Sequence, residues 1–332
     1  MYDKFAEFLE GKEKICVIQA ENPDGDSLGS SVALDYLLSD KDVIMYCPVD
    51  VPHYLHYFGD WSRVTNEFPY RADGYIIVDT AATVLLSKLL DDAAIKNRLY
   101  SAPVFVIDHH ETGDDLDFPH EAIIEVEPSC TTVIYHIAKA CGMEIDKSAA
   151  EAIFQGLLSD TLGFTGGGVN AETFEIAAEL TRLGVDIVEL EDRRREFMKK
   201  SPRILDYKAD LIKRVEYSLE GKLVTVHIPW DEIEEYSQEY NPNVLILEEL
   251  RMVEGVEVAV AIKTYPDGKV TGKIRASSTT PIADKIAEYY GGGGHPYAAG
   301  FRTYDTSYEE VVADLVRVIP ELTAAYMEAE NK

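Results

Sequence analysis

The feature that most constrains this chain is a rhythm of short apolar runs. "KICVIQA" (14–20), "DVIMYCP" (42–48), "GYIIVDT" (74–80), "APVFVIDHH" (102–110) and "AIIEVEP" (122–128) each suit a buried strand. Stretches of helical period lie among them: "SLGSSVALDYLLSD", "ATVLLSKLLDDAA", 130–142 and 147–159. Gly29, Ser30 and Ser31 are small where the first of these helices must pack closely. Strands alternating with helices predict an α/β fold, a parallel sheet with helices on both faces. In such sheets the ligand crevice lies at the carboxyl ends of the strands.

Those ends carry acids and imidazoles. Asp24 and Asp26 follow the first strand in a Pro-Asp-Gly turn, Asp79 ends the third, and Asp108, His109 and His110 end the fourth. Asp160, in "GLLSDTLGF", closes a helical run. Gathered on one rim these carboxylates repel one another unless a cation neutralises them. Oxygen and imidazole donors without cysteine suit Mn²⁺, Mg²⁺, Fe²⁺ or Zn²⁺. Two divalent ions about 3.5–4 Å apart are a common device for phosphoester hydrolysis. From the residues alone the expectation is a metal-dependent phosphoesterase.

Composition narrows the substrate. The formal net charge of −29 opposes long duplex nucleic acid, whose affinity comes from lysines and arginines on phosphates. A small anion remains compatible, because bound cations invert the local field. No run approaches the roughly 18 apolar residues of a membrane span. The N-terminal "MYDKFAEFLEGKEK" is charged throughout and lacks a signal-peptide core. Cys16, Cys47, Cys130 and Cys141 are scattered and read as buried thiols in a reducing compartment. The expectation is a cytoplasmic protein without a membrane partner; a homodimer is compatible with it.

"NPDGDSLGS", "VDTA", "DHHET" and "SDTLGF", in that order, resemble the four motifs of the DHH phosphoesterase superfamily. "YYGGGGHPYAAGF" (289–301) resembles the glycine-rich motif of the associated DHHA1 domain. Length and domain spacing are most similar to the NrnA-type group of nanoRNases and pAp phosphatases; RecJ-like exonucleases share the motifs. The resemblance implies that Asp24 binds a first metal and Asp26 a second, that Asp79 bridges them, and that His109 and Asp160 complete the second site. It implies that Asp108 orients His109 and that His110 contacts the scissile phosphate. The cofactor it implies is Mn²⁺, with Mg²⁺ the next choice. The substrates are short oligonucleotides, linear dinucleotides or nucleotide bisphosphates such as pAp, hydrolysed by metal-activated water. Pyrophosphate or polyphosphate hydrolysis, and a degenerate nucleotide-binding regulator, are the alternatives.

Two departures stand out. The family's motif I begins His-x-Asn-Pro-Asp, and here Ala20 takes the histidine's place. Motif IV often reads Asp-Thr-Gly-Arg-Phe, and here it is "DTLGF". Gln19 and Glu21 neighbour the missing imidazole, but a strand points both away from the direction of residue 20. The second site is therefore expected to fill first.

The expected domains are a DHH domain at 1–188, a helical linker at 189–214 and a DHHA1 substrate-binding domain at 215–332. "KLVTVHIP", "VEVAVAIKTYP" and "KVTGKIRASS" read as strands, with Asp267-Gly268 turning a hairpin between the last two. Gly292, Gly293 and Gly294 let backbone N–H groups approach an anion. His295 and Arg275 are the side chains expected to hold the substrate. Tyr289, Tyr290 and Tyr297 flank the glycine run. Ser129, Cys130, Thr131 and Thr132 read as a helix cap without a catalytic role. Arg193, Arg194 and Arg195 read as a solvated helix face, and His53, His56, His120 and His136 carry no assigned role.

Overall fold

The computed structural model describes residues 2–110, 113–166 and 168–330. Glu111 and Thr112 of the "DHHET" motif lie outside them. The chain divides into two compact units, residues 1–199 and 200–332.

The first unit is built on a five-stranded sheet of β1 (Lys14–Ile18), β2 (Asp42–Tyr46), β3 (Gly74–Val78), β4 (Val104–Asp108) and β5 (Glu121–Ile124). The order is β2-β1-β3-β4-β5 and every pairing is parallel. Its helices are α1 (Asp3–Leu9), α2 (Gly25–Leu37), α3 (Ser87–Leu90), α4 (Ala93–Ser101), α5 (Cys130–Ala140), α6 (Lys147–Asp160), α7 (Ala171–Arg182) and α8 (Ile187–Phe197).

The strands have no polar face because both faces are covered. Ile15, Val17, Ile76, Val78, Phe105 and Ile107 join the core under α2, α5 and α6. The alternate residues Cys16, Ile18, Tyr75, Ile77, Val104 and Val106 join a second core with Ile95 and Leu99 of α4. The chain leaves β1 for opposite sides of the sheet, to β2 and then β3, which makes a switch point between β1 and β3.

Three local readings change. Pro23-Asp24-Gly25 is a helix start rather than a turn: Asp24 caps α2, and Ser27 returns the bond in a capping box. "ATVLLSKLLDDAA" is not one helix. A 3₁₀ turn runs into α3, and Asp92 then caps a new helix, accepting from the N–H groups of Ala94 and Ile95. The glycine run is partly strand, since β10 (Gly293–His295) pairs antiparallel with β11 (Ala298–Tyr304). The close approach expected of α2 is present: a Cβ on Gly29 would stand 2.9 Å from the Ala152 carbonyl and 3.1 Å from Gly156 Cα.

The second unit contains β6 (Glu216–Ser218), β7 (Leu223–Ile228), β8 (Val258–Thr264) and β9 (Lys269–Ala276) besides β10 and β11, in the order β10-β11-β9-β8-β7-β6. Only β7 and β8 are parallel; the other neighbours are antiparallel. Gly268 turns the β8–β9 hairpin in the left-handed region, at φ +76°. The unit's helices are α9 (Pro202–Lys213), α10 (Trp230–Tyr236), α11 (Pro242–Arg251), α12 (Ala283–Tyr289) and α13 (Tyr308–Glu330). Residues 189–214 fall on α8 and α9, one on each side of the division.

Candidate metal centre

Four side chains meet around one nitrogen at the switch-point end of the parallel sheet. His109 Nε2 lies 3.2 Å from an Asp160 oxygen, 3.3 Å from Asp79 Oδ1 and 3.8 Å from an Asp26 oxygen. The other ring nitrogen, Nδ1, donates to the Glu127 carbonyl at 2.9 Å. That bond fixes the tautomer and leaves Nε2 as a lone-pair donor. His109 Nε2 and Asp79 Oδ1 are both buried and have no hydrogen-bond partner. Buried polar atoms are rarely left so. Their fit to a divalent cation is good, because the donor atoms of Asp26, His109 and Asp160 lie within 4.8 Å of one another, as do those of Asp79, His109 and His110.

Asp26 is anchored from 104 residues away. Its carboxylate accepts the N–H groups of Cys130, at 2.5 Å, and Thr131, at 3.1 Å, and the Thr131 hydroxyl at 2.8 Å. These are the first N–H groups of α5, whose N-cap is Ser129. A helix N-terminus has unpaired donors and a positive dipole end that suit a buried carboxylate. Gly156 of α6 makes room: a Cβ there would stand 2.8 Å from Asp26 Oδ1. The hydroxyl-rich segment read as a plain cap therefore positions Asp26.

Asp79 leaves β3 with φ +64°, a left-handed conformation that aspartate tolerates better than most residues. Asp108 departs from expectation. Its Oδ1 accepts His110 Nδ1 at 2.7 Å and the His109 backbone N–H at 2.8 Å, so it orients His110 rather than the His109 ring. The strand turns between 108 and 110 so that the carboxylate faces the second imidazole.

Charge explains the remaining chemistry. Burial, then the nearby charges of Asp26, Asp24 and Asp160, hold Asp79 well above the usual carboxylate range. Burial and Asp26 push Asp160 up to about 7. Burial also raises Asp26, against the pull of His109. For His109, burial opposes the charge, yet Asp26, the Glu127 carbonyl and Asp160 raise it. The hydrogen bond to Asp108 raises His110. Burial raises Asp108 too, but the bond and charge of His110 outweigh it, and Asp108 ends below its ordinary value. The cluster thus carries like charges that a cation relieves.

Asp24 contributes its charge to this cluster, while its Oδ1 accepts the N–H groups of Asp26 and Ser27 at 3.0 Å. Ala20 is buried and offers no donor. Glu21 does not replace it, since its carboxylate holds the Ser87 hydroxyl and the Lys88 N–H. The Gln19 side chain is fully buried without a partner.

In the second unit, Arg275, Gly293 and Gly294 line a cleft of about 330 Å³, and Gly292 lines a neighbouring one. The Arg275 guanidinium is engaged with Glu248, 3.2 Å away. His295 is exposed on β10, opposite Ala298.

A parallel α/β sheet with acids and imidazoles on its switch-point rim offers a set of oxygen and nitrogen donors that could hold a divalent cation. Residues 14–157 match the DHH family, N-terminal domain, and residues 236–325 match the DHHA1 domain. The chain belongs to the DHH family whose members carry a C-terminal DHHA1 domain. It is 30% identical over 332 residues to a bifunctional oligoribonuclease and PAP phosphatase NrnA of Thermus thermophilus, covering 96% of this chain and 94% of that one. It is 29% identical over 187 residues to a probable manganese-dependent inorganic pyrophosphatase of Streptococcus agalactiae, covering 53% of this chain and 58% of that one. An exopolyphosphatase-related protein of Bacteroides fragilis shares the fold, with a TM-score of 0.84 at 22% identity over 98% of this chain and 96% of that one.

Proposed function

We propose that this protein is a divalent-metal phosphoesterase that hydrolyses short oligonucleotides, linear dinucleotides or nucleotide bisphosphates such as pAp. The observation that carries the reading is the pair of buried, unpartnered atoms His109 Nε2 and Asp79 Oδ1, ringed by Asp26 and Asp160. Likeness to an NrnA protein over almost the full length of both chains favours nucleotide substrates.

Asp26, Asp79, His109 and Asp160 hold the cation that binds first, and Asp24 belongs to a weaker site beside it. Mn²⁺ is the expected ion, with Mg²⁺ next. A bound divalent cation lowers the pKa of water and offsets charge on phosphoryl oxygens. Asp108 holds the His110 ring by Nδ1, which leaves Nε2 to donate to a phosphoryl oxygen or to protonate the leaving oxygen. Arg275, Gly292, Gly293, Gly294 and His295 belong to the nucleotide-binding part of the second unit. The acidic surface suits short ligands in the cytoplasm; among the described residues no helix is long and apolar enough to cross a membrane.

The 187-residue match to a pyrophosphatase favours one second reading, hydrolysis of pyrophosphate. A panel of pAp, ribodinucleotides to pentanucleotides and pyrophosphate, with Mn²⁺ restored after chelation, separates the two. Turnover of nucleotide substrates is expected. Turnover of pyrophosphate alone would establish the second reading, and binding of the nucleotides without any turnover would make the protein a nucleotide-binding regulator.

A further inference from the structure

Strand β8 breaks its own pattern. Ala259 and Ala261 face the core shared with α9, α10 and α11, and the next residue on that face is Lys263. It is 7% exposed. Its Nζ donates to Asn241 Oδ1 at 3.0 Å, and no carboxylate of the described residues pairs with it. Burial, and then the charge of Lys273, draw its pKa down to about 8. An ammonium in that position is costly unless an anion joins it.

Lys263 does not stand alone. Lys273 of β9 and Arg302 of β11 line the same cleft of about 650 Å³, and they too lack a carboxylate partner among the described residues. Most other cations of this acidic chain are paired, including Arg275, which holds Glu248. The cleft is kept open by glycine. A Cβ on Gly300 would stand 3.2 Å from Lys273 Nζ, and one on Gly292 would stand 2.3 Å from the Gly300 carbonyl.

We infer that Lys263, Lys273 and Arg302 form an anion subsite of the second unit that holds a terminal phosphate monoester of the nucleotide ligand. The identity of the ligand as a nucleotide rests on the function proposed above; the subsite itself rests on the three unpaired cations. A dianion there satisfies the remaining ammonium hydrogens and removes the Lys263–Lys273 repulsion. It also makes the protein prefer ends that carry a phosphate over ends that carry a hydroxyl. The groups facing Lys263 are Asn241, Lys273, Arg302 and the Tyr265 phenol.

The test uses the full chain in chelator, so that the metal centre is silent, and titrates it with pApA and with ApA. Wild type is expected to bind pApA at least about tenfold more tightly, the worth of one charge-assisted hydrogen bond. Lys263→Met and Lys273→Met should erase most of that difference while ApA affinity stays. Lys273 is exposed, so its variant isolates the charge even where Lys263→Met loses stability. At pH 8.5, pApA binding should take up a proton in wild type and not in Lys263→Met, read by calorimetry in two buffers. Equal affinity of wild type for both ligands, failure to bind either, or equal losses for both in Lys273→Met would overturn the subsite. Metal-dependent cleavage of bis(p-nitrophenyl) phosphate, measured separately, reports on the phosphoesterase reading without touching this contrast.

Discussion

The two units collect opposite charge in the same manner. In the first, Asp26, Asp79 and Asp160 crowd around the single imidazole of His109. In the second, Lys263, Lys273 and Arg302 share a cleft with no carboxylate. Neither arrangement stabilises a fold, because like charges at short range and low dielectric repel. Each is kept by anchors that have no stake in neutrality: the start of α5 for Asp26, the Glu127 carbonyl for His109, and Asn241 for Lys263. The sign of the crowded charge fits the ligand proposed for each unit, a divalent cation in one and a phosphate in the other.

The harshest way to break this comparison is Asp79→Asn. It keeps the left-handed backbone and removes the central charge. Hydrolysis should fall by far more than the roughly 10–100-fold typical of residues that merely orient a ligand, while binding of pApA in chelator stays. Retained turnover in the metal-loaded variant would remove Asp79 from the centre. Asp108→Asn comes next, with about a 10–100-fold loss. It also lowers the pKa of His110, so the alkaline limb of the pH–rate profile should move to lower pH; a loss with an unmoved limb would mean that Asp108 only supports the fold. Thr131→Val removes one hydroxyl bond from Asp26 and should weaken metal affinity about tenfold, read by competition with a chromogenic chelator.

Smaller effects sharpen the same contrast. The carboxyls of Asp79 and Asp160 are raised in the folded, metal-free protein, so their contribution to stability is fully present below the ordinary carboxylate pKa. It is lost as pH rises through those raised values, about 7 for Asp160 and well above the ordinary carboxylate range for Asp79. In chelator the melting temperature should drop by a few degrees from pH 5 to pH 8, and added Mn²⁺ should reverse the drop; a flat profile would deny the repulsion. Ala20→His should shift metal activation to lower Mn²⁺, by roughly tenfold or less. No shift would mean that the weaker site is already complete.

Much of the first unit was legible because a parallel sheet buried on both faces writes itself as unbroken apolar runs. The rule that ligands gather at strand ends then located Asp79, His109 and Asp26 on one rim. What stayed hidden was contact between distant segments. No local pattern links Asp26 to Thr131, or the His109 ring to a backbone carbonyl. Asp108 was matched to the wrong histidine because adjacent positions leave the strand in different directions, and sequence does not say which. Asp92 splits a long apolar stretch by capping, where apolar period alone saw one helix. In the second unit the glycine run drew notice to Arg275. The more telling signal was Lys263, a lysine on the alternation of Ala259 and Ala261.

The left-handed backbone of Asp79 has a consequence for heredity. Glycine, asparagine and aspartate are the residues that rest there most easily. Both alternatives to aspartate lie one base change from its codons. Given the role proposed for Asp79, such a change keeps the strand end in shape, removes the proposed hydrolysis and leaves the cationic cleft of the other unit intact. In a lineage of such genes, the shortest path away from an enzyme leads to a folded protein that still binds its nucleotide.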